Sequence, residues 1–192
     1  AQSLAPDESV LLVRRQEEGG AEVLALPLAA DEDGQRTPVP LPELRGTDSV
    51  RFSATGKWVA YISDASGRNE AYIRRYHPGG SLGPGTPVTT QGATEVWWSK
   101  AKQAQSMDLI FTRPGIGKKF AVTIKTEPSL SFSAPREVLN PGLIKPGFVA
   151  ITDLPDGGWF GIEKGPNEGN PNRVSIVFNW LQDMERRHPR QP

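Results

Sequence analysis

The chain of 192 residues contains no cysteine. It therefore cannot form disulfides, and it lacks the thiolates that serve as nucleophiles or as zinc ligands. Histidine is scarce as well: the two copies are His77, in a Tyr-His-Pro-Gly turn, and His188, in a polar tail. A Ser-His-Asp triad needs a histidine held between a nucleophile and a carboxylate, and neither context predicts such a rigid site. The sequence predicts no catalytic residue, no metal site and no cofactor, so we expect a protein that is not an enzyme.

An excess of charge of one sign is also lacking. Lysine and arginine number 22, as do aspartate and glutamate, so the formal net charge is zero. Proteins that bind nucleic acids usually carry a basic excess that releases counterions from the phosphates, so no nucleic-acid partner is expected. No apolar run approaches the roughly 18 residues of a membrane-spanning helix, and we expect no membrane insertion of this segment.

Each of two stretches contains part of a known ligand-binding motif. Residues 113–119 contain Gly-Lys but lack the upstream glycine and the Ser/Thr of a phosphate-binding loop. Asp31, Glu32 and Asp33 form an acidic group without the alternating ligands of a calcium-binding loop. We interpret the first stretch as a hairpin turn and the second as a solvated surface loop.

Glycine and proline are abundant, with 20 and 18 copies. They separate short apolar runs, which is the pattern of many short strands joined by turns. One such pattern, strand–glycine turn–strand, occupies residues 52–63 and recurs near residues 10, 97 and 148. Ser53 and Ser99, which take the same place in two copies, lie about 46 residues apart, close to the spacing of β-propeller repeats. Four short antiparallel strands in each copy would form one propeller blade.

The chain is therefore predicted to be all-β, a single partial β-propeller over residues 1–192. About three and a half to four four-stranded antiparallel blades are expected, at about residues 8–44, 48–92, 94–141 and 146–179. The first blade is expected to begin at its second strand. Residues 58–62 are apolar on both alternating faces, which indicates a strand between two neighbouring blades. Residues 180–188 are predicted to form a short C-terminal helix.

The run at residues 52–73, Phe-Ser-x-x-Gly-Lys-Trp-Val-Ala-Tyr-Ile-Ser-Asp-x-Ser-Gly-Arg-Asn-Glu-x-Tyr-Ile, resembles the repeat of TolB-like, WD-repeat-like bacterial β-propellers. The family's Ser-Pro-Asp-Gly turn is Ser-Ala-Thr-Gly at 53–56, while Pro-Asp-Gly is kept at 155–157. Residues 173–180 resemble the closing segment of propellers attached to bacterial serine/threonine kinases. The resemblance covers about residues 45–187 and implies the C-terminal portion of such a propeller. It also implies a periplasmic or other extracytoplasmic location, with a cytoplasmic one left open.

The function that this resemblance implies is a non-catalytic scaffold that binds a protein or peptide, within a larger bacterial sensor or envelope protein. One alternative is a regulatory or gating propeller of a hydrolase whose catalytic domain lies elsewhere. Another is a glycosidase-like propeller, which would need a pair of channel carboxylates, and no compelling pair is present. Because propellers of the family usually have more blades, either the chain is part of a larger ring or copies self-associate through open blade faces. A closed four-bladed ring is a third arrangement.

Five residues are the candidate partner contacts. Trp97 and Trp98 are adjacent on a predicted strand, so their rings point to opposite faces, and packing between blades is the favoured role of at least one. Arg68, Asn69 and Glu70 precede a strand at a blade hairpin. For these three we favour hydrogen bonds that fix the turn, with contact to a partner as the alternative.

Overall fold

A computed structural model of the chain describes residues 2–18, 20–99, 105–116 and 118–139, together with three strands further along the chain. The chain divides into two compact units, Ala1–Leu139 and Asn140–Pro192. In the described ranges no helix is long and apolar enough to cross a bilayer.

The first sheet is antiparallel and has four strands in sequential order. They are β1 (Ser3–Leu4), β2 (Val10–Glu17), β3 (Gly20–Pro27) and β4 (Val39–Pro40), followed by a 3₁₀ turn at Pro42–Leu44. The expectation that this blade begins at its second strand is wrong, because β1 pairs with Leu11 and Leu12 of β2. A strand of two residues is too short to show an alternating pattern in the sequence. It is recognised as a strand only by its pairing with β2.

The second sheet has five strands. They are β5 (Asp48–Phe52), β6 (Trp58–Ser63), β7 (Glu70–His77), β8 (Ser81–Leu82) and β9 (Thr86–Pro87). The long strands β5, β6 and β7 follow one another, and both β8 and β9 pair with β7 at different points along its length. The sheet thus contains the predicted strands of the clearest repeat and one additional short strand, β8.

The third sheet repeats this arrangement. Its strands are β10 (Val96–Trp98), β11 (Ser106–Thr112), β12 (Lys119–Lys125), β13 (Ser131–Phe132) and β14 (Arg136–Leu139). Here β13 and β14 both pair with β12, as β8 and β9 pair with β7. The same pairing scheme in successive sheets is the repeat that the sequence predicts.

The second compact unit contains a three-stranded antiparallel sheet in its described part. Its strands are β15 (Phe148–Asp153), β16 (Trp159–Glu163) and β17 (Ile176–Val177). The helix predicted at residues 180–188 lies outside the described residues.

Strand β6 lies at the centre of the first compact unit and has two buried faces. Val59 and Tyr61 belong to a hydrophobic cluster shared with the first sheet, and Ala60 and Ile62 belong to a second cluster shared with the third sheet. Side chains alternate between the faces of a strand, so only a strand between two sheets buries every residue of this run. The predicted position of residues 58–62 between neighbouring blades is confirmed.

Candidate functional site

A cleft of about 690 Å³ opens between the first and second sheets, at the end where β1 turns into β2 and β5 turns into β6. Its volume lies within the range typical of ligand-binding pockets. Four short segments line it, namely the β1–β2 turn, the end of β3 with β4, the β5–β6 turn and the β7–β8 turn. The lining residues are Ala5, Pro6, Asp7, Ser9, Val10, Ala25, Pro27, Val39, Thr55, Gly56, Lys57, Tyr76, Pro78, Gly79 and Gly80.

The β1–β2 turn is held by its own side chains. The Asp7 carboxylate accepts hydrogen bonds from the Ser9 hydroxyl at 2.7 Å and from the Ser9 backbone N–H at 3.1 Å. These bonds favour the ionised carboxylate and lower the pKa of Asp7. The backbone N–H of Glu8, whose φ is +57°, donates to the Ala5 carbonyl at 2.9 Å. The turn therefore presents Pro6 in a fixed position.

The β5–β6 turn approaches Pro6 closely. Gly56 has φ of +69°, in the left-handed region that favours glycine, and its N–H donates to the Ser53 carbonyl at 2.9 Å. A Cβ atom at Gly56 would lie 3.4 Å from Pro6 Cδ. The glycine that the sequence assigns to a hairpin turn thus also lies against a turn of the neighbouring sheet.

Tyr76 is the largest side chain of the cleft. Its backbone N–H donates to the Lys57 carbonyl at 2.9 Å, and its ring packs edge-on against Phe52, with 4.9 Å between the ring centroids. Burial raises the pKa of the Tyr76 phenol, and the negative charge of Asp7 raises it further. At neutral pH the phenol is uncharged and can donate or accept a hydrogen bond.

On another side of the cleft, the β7–β8 turn is pressed against β4. A Cβ atom at Gly80, whose φ is +84°, would lie 3.0 Å from Val39 Cγ1. This distance is shorter than ordinary van der Waals contact, so Gly80 is required by space as well as by backbone conformation. Contacts between the two sheets therefore fix the cleft at both Gly56 and Gly80.

The cleft is chemically suited to binding. Most of its lining is apolar, and the polar side chains are those of Asp7, Ser9, Thr55, Lys57 and Tyr76. The lining residues include no histidine that could serve as a base beside a hydroxyl. Among the residues that the structure describes, no group of three histidines and carboxylates is placed to hold a metal ion. An apolar cavity with a few polar groups can orient a bound segment by hydrogen bonds.

The predicted contact residues Arg68, Asn69 and Glu70 lie at the other end of the second sheet, in and beside the β6–β7 turn. The Glu70 carboxylate is buried and accepts hydrogen bonds from Arg68 Nε at 2.5 Å, Thr89 Oγ1 at 2.6 Å and the Gly92 N–H at 2.9 Å. The Asn69 carbonyl accepts from the Ala93 N–H at 2.9 Å, and Arg68 also donates to the Thr90 carbonyl. These bonds join the turn to the segment that leads into the third sheet.

Burial by itself would raise the pKa of Glu70, because it disfavours a charged carboxylate. The hydrogen bonds from Thr89, Arg68 and Gly92 outweigh burial, so the pKa of Glu70 is lowered. Glu70 is therefore an ionised, internally satisfied group. This is the turn-fixing role that the sequence favours over partner contact for these residues.

The two adjacent tryptophans point to opposite faces of β10. Trp98 is buried between the second and third sheets, and its indole N–H donates to the Arg51 carbonyl at 3.1 Å. Trp97 is half-buried, and the Lys119 ammonium nitrogen lies 3.8 Å from the centroid of its ring. The packing role favoured for one ring of the pair belongs to Trp98.

Sequence reasoning did not find the cleft. The glycine turn at residues 53–56 was visible as a hairpin signal, but no local pattern indicates that residues 5–9 lie beside it. The signal nearest to the cleft is the pair Gly79 and Gly80 after a strand, but both have positive φ, so the sequence shows only that they form a turn and not that Gly80 lies against Val39.

Two solved structures are similar to this chain in fold. TolB from Acinetobacter baumannii matches with a TM-score of 0.54 and 13% sequence identity, covering 91% of this chain and 42% of that one. A putative TolB from Agrobacterium tumefaciens matches with a TM-score of 0.53 and 15% identity, covering 92% of this chain and 56% of that one. This chain thus spans roughly half the length of either protein.

No protein-family model matches the chain, and no curated protein does. The two structural likenesses show the fold: the chain is an all-β protein with the fold of a partial, TolB-like β-propeller. The predicted fold class is confirmed.

Proposed function

We propose that the chain is a non-catalytic scaffold whose cleft binds a peptide segment of a partner protein. The observation that carries this proposal is the largely apolar cleft of about 690 Å³ between the first two sheets. Binding sites in folds of this kind are commonly built by turns on a rigid set of sheets. Here the turns are fixed by hydrogen bonds and by close contacts at Gly56 and Gly80, so little ordering would be needed on binding.

The lining favours an extended peptide. A stiff apolar surface is formed by Pro6, Pro27, Pro78 and the ring of Tyr76. A peptide side chain can pack on this surface at low entropic cost. The neutral Tyr76 phenol can hydrogen-bond to a peptide carbonyl or N–H. The exposed Lys57 side chain lies at the cleft, where its charge would favour a peptide with a carboxylate near the bound segment.

We also propose that this scaffold is the C-terminal part of a larger bacterial sensor or envelope protein and works outside the cytoplasm. The likeness to TolB proteins supports this proposal, as does the resemblance of residues 52–73 and 173–180 to extracytoplasmic propellers. Fractionation of the native cells, with an antibody against the chain, should recover it with the periplasmic or envelope fractions. Recovery with the cytosol would contradict this location.

A second partner surface at the opposite end of the second and third sheets is proposed for the residues singled out from the sequence. Arg68 and Trp97 keep accessible surface there. Asn69 is exposed as well, whereas Glu70 and Trp98 are buried and would act by holding this surface in shape.

The peptide proposal is tested by selecting binders from a displayed library of random dodecapeptides on the immobilised chain. Pro78→Trp places a large side chain at the cleft without disturbing a buried residue. Glu18→Trp is the control, because Glu18 is exposed in the β2–β3 turn at the far end of the first sheet and lies outside both proposed surfaces. We expect selected peptides, synthesised and titrated by calorimetry, to lose at least about tenfold in affinity on Pro78→Trp, roughly 1.4 kcal/mol, and little on Glu18→Trp. A library without binders, or binders insensitive to Pro78→Trp, would contradict the proposal.

A further inference from the structure

The two walls of the cleft differ in charge. On the side of the first sheet are the β1–β2 turn at residues 5–9 and the β3–β4 connection at residues 28–38, whose neighbours Pro27 and Val39 both line the cleft. On the side of the second sheet, the turns at residues 53–57 and 78–80 carry one lysine, Lys57, and no carboxylate. The two segments of the first sheet carry five carboxylates and one arginine, namely Asp7, Glu8, Asp31, Glu32, Asp33 and Arg36. The first-sheet wall is therefore negative and the second-sheet wall is positive.

Asp7 is the carboxylate that lines the cleft itself. Both hydrogen bonds from Ser9 are accepted by Asp7 Oδ1. Among the described residues, no donor bonds to Asp7 Oδ2 and no cation forms an ion pair with Asp7. The charge of Asp7 raises the pKa of the Tyr76 phenol, so Asp7 lies near the ring that is the largest side chain of the cleft. A carboxylate oxygen is thus presented beside an aromatic ring.

Lys57 lies on the other wall, beside the same ring. The Tyr76 N–H donates to the Lys57 carbonyl at 2.9 Å, and the next residues along the two strands, Trp58 and Arg75, are paired in register. Residues directly opposite each other in an antiparallel pair project to the same face, so Lys57 and Tyr76 both project towards the cleft. In the part of the chain that the structure describes, Lys57 forms no ion pair with Asp7 or with any other carboxylate.

The ring of Tyr76 therefore has a carboxylate on one side and an ammonium group on the other, and these two charges do not neutralise each other. We propose that the cleft binds a peptide segment of mixed charge in one orientation, with a basic side chain towards Asp7, an apolar side chain on Tyr76 and a carboxylate towards Lys57. This inference rests on the peptide-binding function proposed above and specifies the chemistry of the partner. Complementary charges of this kind fix the orientation of a ligand and exclude ligands with the opposite arrangement.

The exposure of the two charged side chains sets the size of the effect. Asp7 and Lys57 are both exposed, so water and salt screen their contacts with a peptide. A screened ion pair contributes up to roughly fivefold in affinity. The apolar contacts therefore supply most of the affinity, and the charges select among peptides that fit the cleft.

The first test uses the dodecapeptides selected on the immobilised chain. Relative to the unselected library, the binders should be enriched in sequences that carry a basic residue and an acidic residue on the two sides of an apolar one. Enrichment in apolar residues alone, or in charges of one sign alone, would overturn the proposal.

The second test assigns each charge of a selected peptide to one wall. Asp7→Asn keeps the Oδ1 acceptor for Ser9, and Lys57→Met keeps an unbranched apolar side chain. Each variant is titrated by calorimetry with the peptide, with a form in which its basic residue is replaced by methionine, and with a form in which its acidic residue is replaced by glutamine. Glu18→Gln is the matched control, because it removes the charge of an exposed carboxylate at the far end of the first sheet.

In Asp7→Asn, affinity for the unmodified peptide should fall up to roughly fivefold at low salt. Replacing the basic residue of the peptide should then cause little further loss, whereas replacing the acidic residue should cause its full loss. Lys57→Met should show the reverse pattern, and Glu18→Gln should bind as the unsubstituted chain does. The differences should shrink as salt is raised through about 0.1 M, where the Debye length is about 10 Å.

Full and independent losses for both peptide residues in both variants would overturn the proposal. Unchanged affinity in both Asp7→Asn and Lys57→Met would overturn it as well. Circular dichroism establishes that each variant is folded before it is titrated. Peptides that lose affinity on Pro78→Trp but not on either charge substitution would leave the peptide-binding function standing and refute this orientation, so the two proposals fail separately.

Discussion

Replacing Glu70 by alanine should destabilise the first compact unit by about 3 kcal/mol. The substitution removes the acceptor of two buried donors, the Thr89 hydroxyl and the Gly92 N–H. Each unsatisfied buried donor costs about 1–3 kcal/mol. The third donor, Arg68, is 60% exposed and is rehydrated when its partner is lost, so its share is at most about 1 kcal/mol. The two donors together contribute about 2–6 kcal/mol, and relief of the desolvation of the buried carboxylate offsets part of this sum, which leaves a loss of about 3 kcal/mol in its lower half.

The matched variants separate these contributions. Glu70→Gln keeps one acceptor oxygen and should cost about half as much as alanine, roughly 1.5 kcal/mol. Arg68→Ala leaves both buried donors satisfied and should cost less than about 1 kcal/mol. In a double-mutant cycle with Thr89→Val, the second substitution should cost less in the Glu70→Ala background than in the wild type, because the bond between the two side chains is already lost.

The assay is guanidinium unfolding followed by tryptophan fluorescence, repeated as pH is lowered. The pKa of folded Glu70 lies below its ordinary value of 4.5, so the unfolded chain takes up its proton first. The stabilisation due to Glu70 is therefore complete above this value and is lost as pH falls from 4.5 through the folded pKa. The wild-type chain should lose this increment over that window, and Glu70→Gln should not.

A loss below about 0.5 kcal/mol in Glu70→Ala, which is the range of ordinary surface substitutions, would refute the reasoning. It would mean that the hydrogen bonds of the Glu70 carboxylate do not stabilise the β6–β7 turn. Contact with a partner would then be the better explanation of Arg68, Asn69 and Glu70.

Two further predictions concern packing. Gly80→Ala should cost more than Gly34→Ala, about 2–3 against about 1–2 kcal/mol, because both glycines have positive φ but only the Cβ atom at Gly80 would meet Val39. Urea unfolding of the two variants checks this, and equal losses would contradict the close contact. Trp98→Ala should cost about 3–5 kcal/mol and Trp97→Ala about 1 kcal/mol, since only Trp98 is buried and hydrogen-bonded between sheets. Thermal unfolding by calorimetry would show the difference, and the reverse order would be inconsistent with the alternation of β10.

The features that sequence reasoning found are those encoded locally. The two apolar faces of residues 58–62 indicate burial on both sides because alternation is a property of the strand itself. The Ser-Ala-Thr-Gly turn is readable because a positive φ selects glycine at Gly56. From such signals the repeat, the fold class and the long strands of each described sheet could be predicted.

The features that it missed depend on distant partners. The two-residue strands β1, β8 and β13 exist only through pairing with β2, β7 and β12, and two residues carry no period. The cleft requires that Pro6 lie against Gly56, about 50 residues away along the chain, which no local pattern encodes. Likewise, the adjacency of Trp97 and Trp98 in a predicted strand indicates that their rings face opposite ways. Only the register of β10 shows which of the two is buried.

Strand β6 has a consequence for biosynthesis. Its sequence, Trp-Val-Ala-Tyr-Ile-Ser, combines high β-propensity with no charge, which is the signature of a segment that aggregates while unprotected. During translation the first sheet is available to cover one of its faces at once, but residues up to 124 must emerge before the third sheet can cover the other. At about 5–20 residues per second this wait lasts several seconds, during which the face of β6 that carries Ala60 and Ile62 lacks the residues that cover it in the folded chain.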